Sequence, residues 1–228
     1  MRQDPADAAG RAGEPSDRRL TEEGTGLGDN PGRRVLVIAC GALAREILAI
    51  RRLNGWDRLE LTCLPAILHN RPERIVPALR ARVAEARARG WRQIVVGYAD
   101  CGTGGGIDRF CAEEGLSRID GPHCYSFFDG NAAFAAQAED EITAFYLTDF
   151  LARQFDTLVW QGMGLDRHPE LRDMMFGNYD RLVYIAQTED PALENRARAA
   201  AERLGLRFEM RRRGYGDLVP FLAGAVGD

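Results

Sequence analysis

Three cysteines and a histidine sit where an apolar run gives way to a turn. Val35-Leu36-Val37-Ile38-Ala39 leads into Cys40-Gly41, and Ile94-Val95-Val96-Gly97-Tyr98-Ala99-Asp100 leads into Cys101-Gly102. The shorter Arg118-Ile119-Asp120 reaches Gly121-Pro122-His123-Cys124. Thiolates and imidazoles are the donors that zinc, iron and iron–sulfur clusters take up. Cys40, Cys101, Cys124 and His123 are therefore the expected metal ligands. None has the short Cys-x-x-Cys spacing, so the expectation rests on strand ends converging in space. Cys63 lies within an apolar run and Cys111 within a helical pattern, and both read as buried core thiols.

All three histidines, His69, His123 and His168, follow apolar segments in polar, turn-like settings. Imidazole suits acid–base work near neutral pH, which makes His123 and His168 the candidate catalytic groups. Asp166 and Glu170 flank His168, and either can orient it. The loop Gly102-Thr103-Gly104-Gly105-Gly106 opens a helical pattern, and its amides are of the kind that cradle a phosphate or carboxylate. It lacks the Gly-Lys-Ser/Thr ending of a P-loop and the spacing of the dinucleotide fingerprint. Tyr125, beside Cys124, is placed to contact a flat ligand.

Elements must deliver these residues to one place. Strand patterns over 34–39, 59–64, 93–99, 157–162, 181–186 and 206–211 alternate with helical patterns over 42–53, 74–89, 107–114, 131–155 and 191–204. Asn54-Gly55 and Gly90 close two of the helices, and Pro191 opens the last. Strands separated by helices predict an α/β fold with a mostly parallel, helix-covered sheet. In such a sheet, strand carboxyl ends share one edge, where ligands bind. The shared strand–Cys–Gly–helix order at Cys40 and Cys101 raises a reading as two pseudo-repeated halves. No linker divides the chain after residue 33, so 34–228 is expected to be a single α/β domain. Residues 1–33 are polar and Gly/Pro-rich, and are expected to form a disordered tail.

Composition narrows the function classes. The 228 residues carry a formal net charge of -4, which gives no electrostatic case for nucleic acid or an anionic membrane. All 30 basic residues are Arg, a composition read as codon bias rather than selection for binding. No apolar run approaches the roughly 18 residues of a transmembrane helix. Five cysteines without a secretory pattern point to the reducing cytoplasm.

Several segments together resemble a family of unknown function. They include Ala39-Cys40-Gly41-Ala42-Leu43-Ala44-Arg45-Glu46-Ile47, Leu64-Pro65-Ala66 with Leu68-His69-Asn70, and Gly121-Pro122-His123-Cys124-Tyr125. Gly164-Leu165-Asp166-Arg167-His168-Pro169-Glu170-Leu171 and Phe176-Gly177-Asn178-Tyr179 add to the resemblance, which spans about residues 34–218. Members are often encoded beside corrinoid-dependent methyltransferases and their corrinoid proteins, which implies a role in corrinoid or one-carbon metabolism.

The expectation is a protein binding zinc, iron or an iron–sulfur cluster in corrinoid-linked methyl transfer. A bound Zn²⁺ keeps a thiolate ionised near neutral pH, which suits attack on a methyl group. The alternatives are a non-catalytic accessory protein binding a corrinoid or its methyltransferase, and a nucleotide- or phospho-metabolite-binding enzyme with Cys101 as nucleophile. A small-molecule ligand is common to all three, and whether the chain is an enzyme stays open.

Overall fold

The computed structural model describes residues 14–28, 31–137 and 142–227. The fold is α/β, with two separate parallel sheets, each covered by helices. The described residues fall into two compact units, those within 14–124 with 217–227, and those within 125–216. The expected single domain thus has two sheets, and both Cys-Gly strand ends lie in the first.

That first sheet has the order β2-β1-β3-β4, with every pairing parallel. Its strands are β1 (Val35–Cys40), β2 (Leu59–Leu64), β3 (Gln93–Gly97) and the short β4 (Ser117–Arg118). Continuous apolar runs form β1 and β3 because strands covered on both faces need no polar alternation. The crossovers are α2 (Ala44–Asn54), α3 (Ile75–Ala88) and α4 (Gly106–Glu114). Ile75, Leu79, Val83 and Ala86 of α3 recur at helical spacing and are all buried.

Part of the expected tail is folded. Within 14–28, α1 (Asp17–Glu22) buries Leu20 and Thr21 completely, and Arg45 holds the buried Asp17 at 2.9 Å. The Leu20 carbonyl presses so closely on Gly41 that a Cβ there would meet it at 2.2 Å. Gly41 is thus required by the docked helix. The composition of the segment hides this, because one large apolar side chain and one ion pair anchor the helix.

The second unit has the order β5-β6-β7, again parallel. Its strands are β5 (Ala144–Thr148), β6 (Arg181–Ala186) and β7 (Arg207–Arg212). Two expectations fail here. Ala144–Thr148 is a strand, not the end of a long helix, because its aromatic and β-branched residues fit the pleated surface. Phe155–Trp160 coils as a π-helix where a strand is expected, burying Phe155, Leu158 and Val159 at helical rather than alternate spacing. Part of the expected 131–155 helix, residues 138–141, lies outside the described residues. Among the described residues no helix is long and apolar enough to cross a membrane.

Candidate functional site

The sequence of the first unit runs from β1 to β2 on one side, then crosses to β3 on the other. Strand order therefore reverses between β1 and β3, and a crevice opens outside their carboxyl ends, where open α/β sheets bind ligands. Cys40 ends β1 at this point. The register pairs Ala39 with Gly97, so the next step sets Cys40 beside Tyr98. Alternation puts Leu36, Ile38 and Cys40 on the same face as Ile94, Val96 and Tyr98, and these side chains share one core cluster with Cys101. Cys63, paired with Ala39, falls on the opposite face.

Beyond β3 the chain stays paired with the segment after β4. Ile119 donates to the Val96 carbonyl at 3.1 Å, Asp100 to Gly121 at 2.9 Å and Cys101 to Pro122 at 2.9 Å. This ladder brings His123 and Cys124 alongside Cys101. Arg118 anchors it through a two-pronged pairing with Asp108 of α4, at 2.6 and 2.9 Å. Cys101 has φ of 50°, and it is the one non-glycine residue with positive φ among the described residues. A side chain held in this region costs about 1–2 kcal/mol, and such strain concentrates at functional sites.

The three thiols sense one another. Burial pushes the Cys40 thiol above its ordinary value, outweighing the opposing pull of the Ala42 amide and the Tyr98 hydroxyl. Burial likewise pushes Cys101 well up, and negative charge on Cys124, Cys40 or Asp100 would push it further. Cys40 and Cys101 are half-buried residues with protein-crowded sulfurs, and near neutral pH both are thiols, packing as small apolar groups. That state opposes the reading of Cys101 as an activated nucleophile, which needs a lowered pKa. Cys63 is pushed up by burial, and Cys111 by burial to about 11, as befits core thiols.

Histidines meet at the same edge. Crowding lowers the His69 imidazole even though part of its surface is in solvent. Desolvation, then the nearby charge of His69, lowers His123, against an opposing pull from Asp100. His69 arrives on the short 3-10 helix Ala66–Asn70 after β2. His168 lies in the second unit, is exposed, and faces Glu170 Oε1 at 3.2 Å through Nδ1. Glu170 is thus the flanking acid that meets it.

The glycine loop closes on itself. The Asp100 carboxylate accepts from the Gly105 amide at 2.8 Å, the Gly104 amide at 3.1 Å and the Thr103 hydroxyl at 2.7 Å. Burial opposes ionisation of Asp100, but these hydrogen bonds outweigh it and hold the carboxyl below its usual range. The place expected for an external anion is filled by the protein's own carboxylate. Beside the loop a groove of about 470 Å³ is lined by Pro72, Val76, Gly102, Thr103, Gly106 and Phe110, within the size range of small-molecule sites. Tyr125 instead stacks on Tyr146 of the second unit, with centroids 4.3 Å apart and planes at 9°.

Tyr98 is the residue that motif reading passes over. It is 2% exposed, and among the described residues no oxygen or nitrogen partner meets its hydroxyl, which faces the Cys40 thiol. Burial pushes its hydroxyl well above the ordinary tyrosine range, and the neighbouring Cys40 and Cys101 thiols add to that, Cys40 being the group the hydroxyl meets. The signal in the sequence is its parity with Cys40 on a neighbouring strand.

The donor set, soft sulfur with imidazole, fits zinc or iron in chemistry. Among the described residues, however, no group of three or more His, Cys, Asp or Glu side chains is arranged to hold a metal ion. The expected ligands Cys40, Cys101, Cys124 and His123 are neighbours without a closed coordination sphere.

A family described as "Protein of unknown function (DUF1638)" matches residues 63–222. No curated protein and no solved structure matches the chain.

Proposed function

The chain belongs to the DUF1638 family of unknown function, and we propose that the carboxyl edge of its first sheet binds zinc or iron through Cys40, Cys101, Cys124 and His123. The observation that carries this reading is Cys101, a strained left-handed residue held at the point of strand reversal between two other thiol-bearing segments. Binding would expel the thiol protons and replace them with one charge that draws the sulfurs inward. When bound, the ion would supply a thiolate ionised near neutral pH, suited to accepting a methyl group. The resemblance to proteins encoded beside corrinoid methyltransferases supports corrinoid-linked one-carbon metabolism as the setting. The cytoplasm, where thiols stay reduced, is the compartment this reading requires.

Metal analysis of protein purified without air or chelator tests the proposal. The expected result is about one equivalent of zinc or iron, with stability that falls in chelator and returns with metal. At a free metal concentration about 100 times Kd, the folded state gains about 2.7 kcal/mol. Metal below about a tenth of an equivalent, with a melt indifferent to chelator and added ion, would overturn it.

A second reading, an accessory protein that binds a corrinoid, is favoured by one observation. His69 and His123 are both biased toward the neutral imidazole that a metal centre accepts. Titration with a cobalamin should then shift its visible spectrum, and the shift should vanish in His69→Ala or His123→Ala. An unchanged spectrum and no binding heat would remove this reading.

A further inference from the structure

The groove beside the glycine loop has two walls, and each carries a charge that the protein leaves unmatched. One wall is the Pro72–Arg74 turn with the start of α3; the other is the loop with α4. Glycine keeps the floor between them open. A Cβ on Gly106 would meet Val76 Cγ2 and Thr103 Cβ at 3.3 Å, and one on Gly102 would lie 3.8 Å from Pro72. Gly106 has no positive φ, so no turn requires it, and alanine would suit the first turn of a helix better. What the missing side chain preserves is the floor. Val76 and the Phe110 ring give the groove an apolar surface.

Four charged side chains stand around this surface. Arg80 and Glu113 cancel: Arg80 holds Glu113 at 2.7 Å and Glu114 at 3.1 Å, lying 5.0 Å over the Phe110 ring. Arg109 and Glu73 do not. Arg109 donates to the neutral Gly104 carbonyl at 3.2 Å, and the adjacent acid, Asp108, is engaged by Arg118 at 2.6 and 2.9 Å. Glu73, on the facing wall, enters no ion pair among the described residues. A ligand with one charge would leave the other side chain unmatched. A ligand with both, set apart by an apolar chain, matches the two walls and the floor together. Guanidinium forks suit carboxylates, and a carboxylate suits an ammonium.

We propose that this groove binds a small zwitterion of the amino-carboxylate class, its carboxylate on Arg109, its ammonium on Glu73 and its chain over Val76 and Phe110. Among the described residues no cysteine or histidine lines the groove, so the inference goes beyond the metal reading and does not depend on it.

The test uses the full chain and 6-aminohexanoate, with hexanoate and hexylamine as probes that each lack one charge. Amide NMR should show shifts at Gly102, Thr103 and Gly106, with half-saturation at about 1 mM or below. Each single-charge probe should bind about fivefold more weakly, the upper end for an exposed pair. Glu73 and Arg109 are exposed, so Glu73→Gln and Arg109→Gln should leave the melt unchanged. Arg109→Gln should weaken 6-aminohexanoate about fivefold and leave hexylamine as it was. Glu73→Gln should weaken it equally and leave hexanoate as it was. Titration in chelator should give the same values, so this inference and the metal reading can fail separately. Amides unmoved at about 10 mM 6-aminohexanoate would overturn the site. Hexanoate or hexylamine binding as tightly as the zwitterion, or a loss in Arg109→Gln that extends to hexylamine, would overturn the assignment of the ligand.

Discussion

Each sheet ends in a carboxylate that gathers nearby donors, half-buried Asp100 after β3 and buried Asp149 after β5. In the second unit, Asp149 follows β5 and is 1% exposed, yet its carboxylate is fully engaged. It accepts from the Tyr184 hydroxyl at 2.7 Å, the Gln187 amide at 3.1 Å, and the Thr188 amide and hydroxyl at 3.0 and 2.5 Å. Its own amide donates to Gln187 Oε1 at 2.7 Å. In the first unit Asp100 draws in the Gly104 and Gly105 amides and the Thr103 hydroxyl, and neutral thiols lie beside it, Cys40 facing the Tyr98 hydroxyl. Each edge has a buried tyrosine on a central strand or just past it. Tyr184 donates to a carboxylate; Tyr98 meets only a thiol, a far weaker acceptor.

The largest test breaks the second edge. Asp149→Ala removes one acceptor and strands several buried donors, and should destabilise the protein by about 4 kcal/mol. Urea denaturation measures it. A loss under about 1 kcal/mol would mean that the carboxylate is incidental to the edge.

The tyrosine pair gives the sharper contrast. Tyr184→Phe should lose about 1–2 kcal/mol with its hydrogen bond to Asp149, while Tyr98→Phe should be neutral or slightly stabilising. Melts of the two metal-free variants against the native chain decide it. Equal losses would erase the distinction between the edges.

The sequence made some of this visible and hid the rest for physical reasons. Val35–Cys40 is legible because a strand buried on both faces is coded as an unbroken apolar run, and its last residue is then fixed at the sheet edge. That β1 and β3 are neighbours is tertiary, and no local pattern encodes it. His69 joins the site from a loop after β2, a meeting visible only once strand order is known. Asp100 reads as the polar end of an apolar run, and its capture of the glycine loop emerges only from the turn geometry. Tyr98 looks like one more core aromatic, since its meeting with Cys40 across neighbouring strands leaves no trace in composition. Β-branched and aromatic residues at Phe145-Tyr146-Leu147-Thr148 adjoin genuinely helical residues, and the helical period masks the strand.

Backbone strain supplies the next prediction. Cys101→Gly and Cys101→Ala both remove the thiol, but only glycine relaxes the left-handed conformation. The glycine variant should be the more stable by about 1 kcal/mol. Both should fail to bind metal. Were alanine equal to or better than glycine, the strain at Cys101 would not be a stored cost of the first edge.

The smallest effect is in pH dependence, and it too should belong to the first edge. His69 and His123 have lowered folded-state values, so the unfolded chain binds their protons more readily. Their contribution is present above the ordinary histidine value of about 6.5 and is lost as pH falls through and below it. Asp100 is also lowered, and its contribution lies in a separate window, lost only as pH falls below about 4. Cys40 and Cys101 are raised, so they act at the other end: stability is present below about 8.5 and is lost as pH rises past it. Denaturation midpoints of metal-free protein should therefore decline gently between about pH 6.5 and 5. His69→Gln/His123→Gln should flatten that decline, whereas Tyr184→Phe should leave its slope unchanged. A decline that persists in the double histidine variant would assign the acid sensitivity elsewhere and remove imidazole desolvation from the account of this edge.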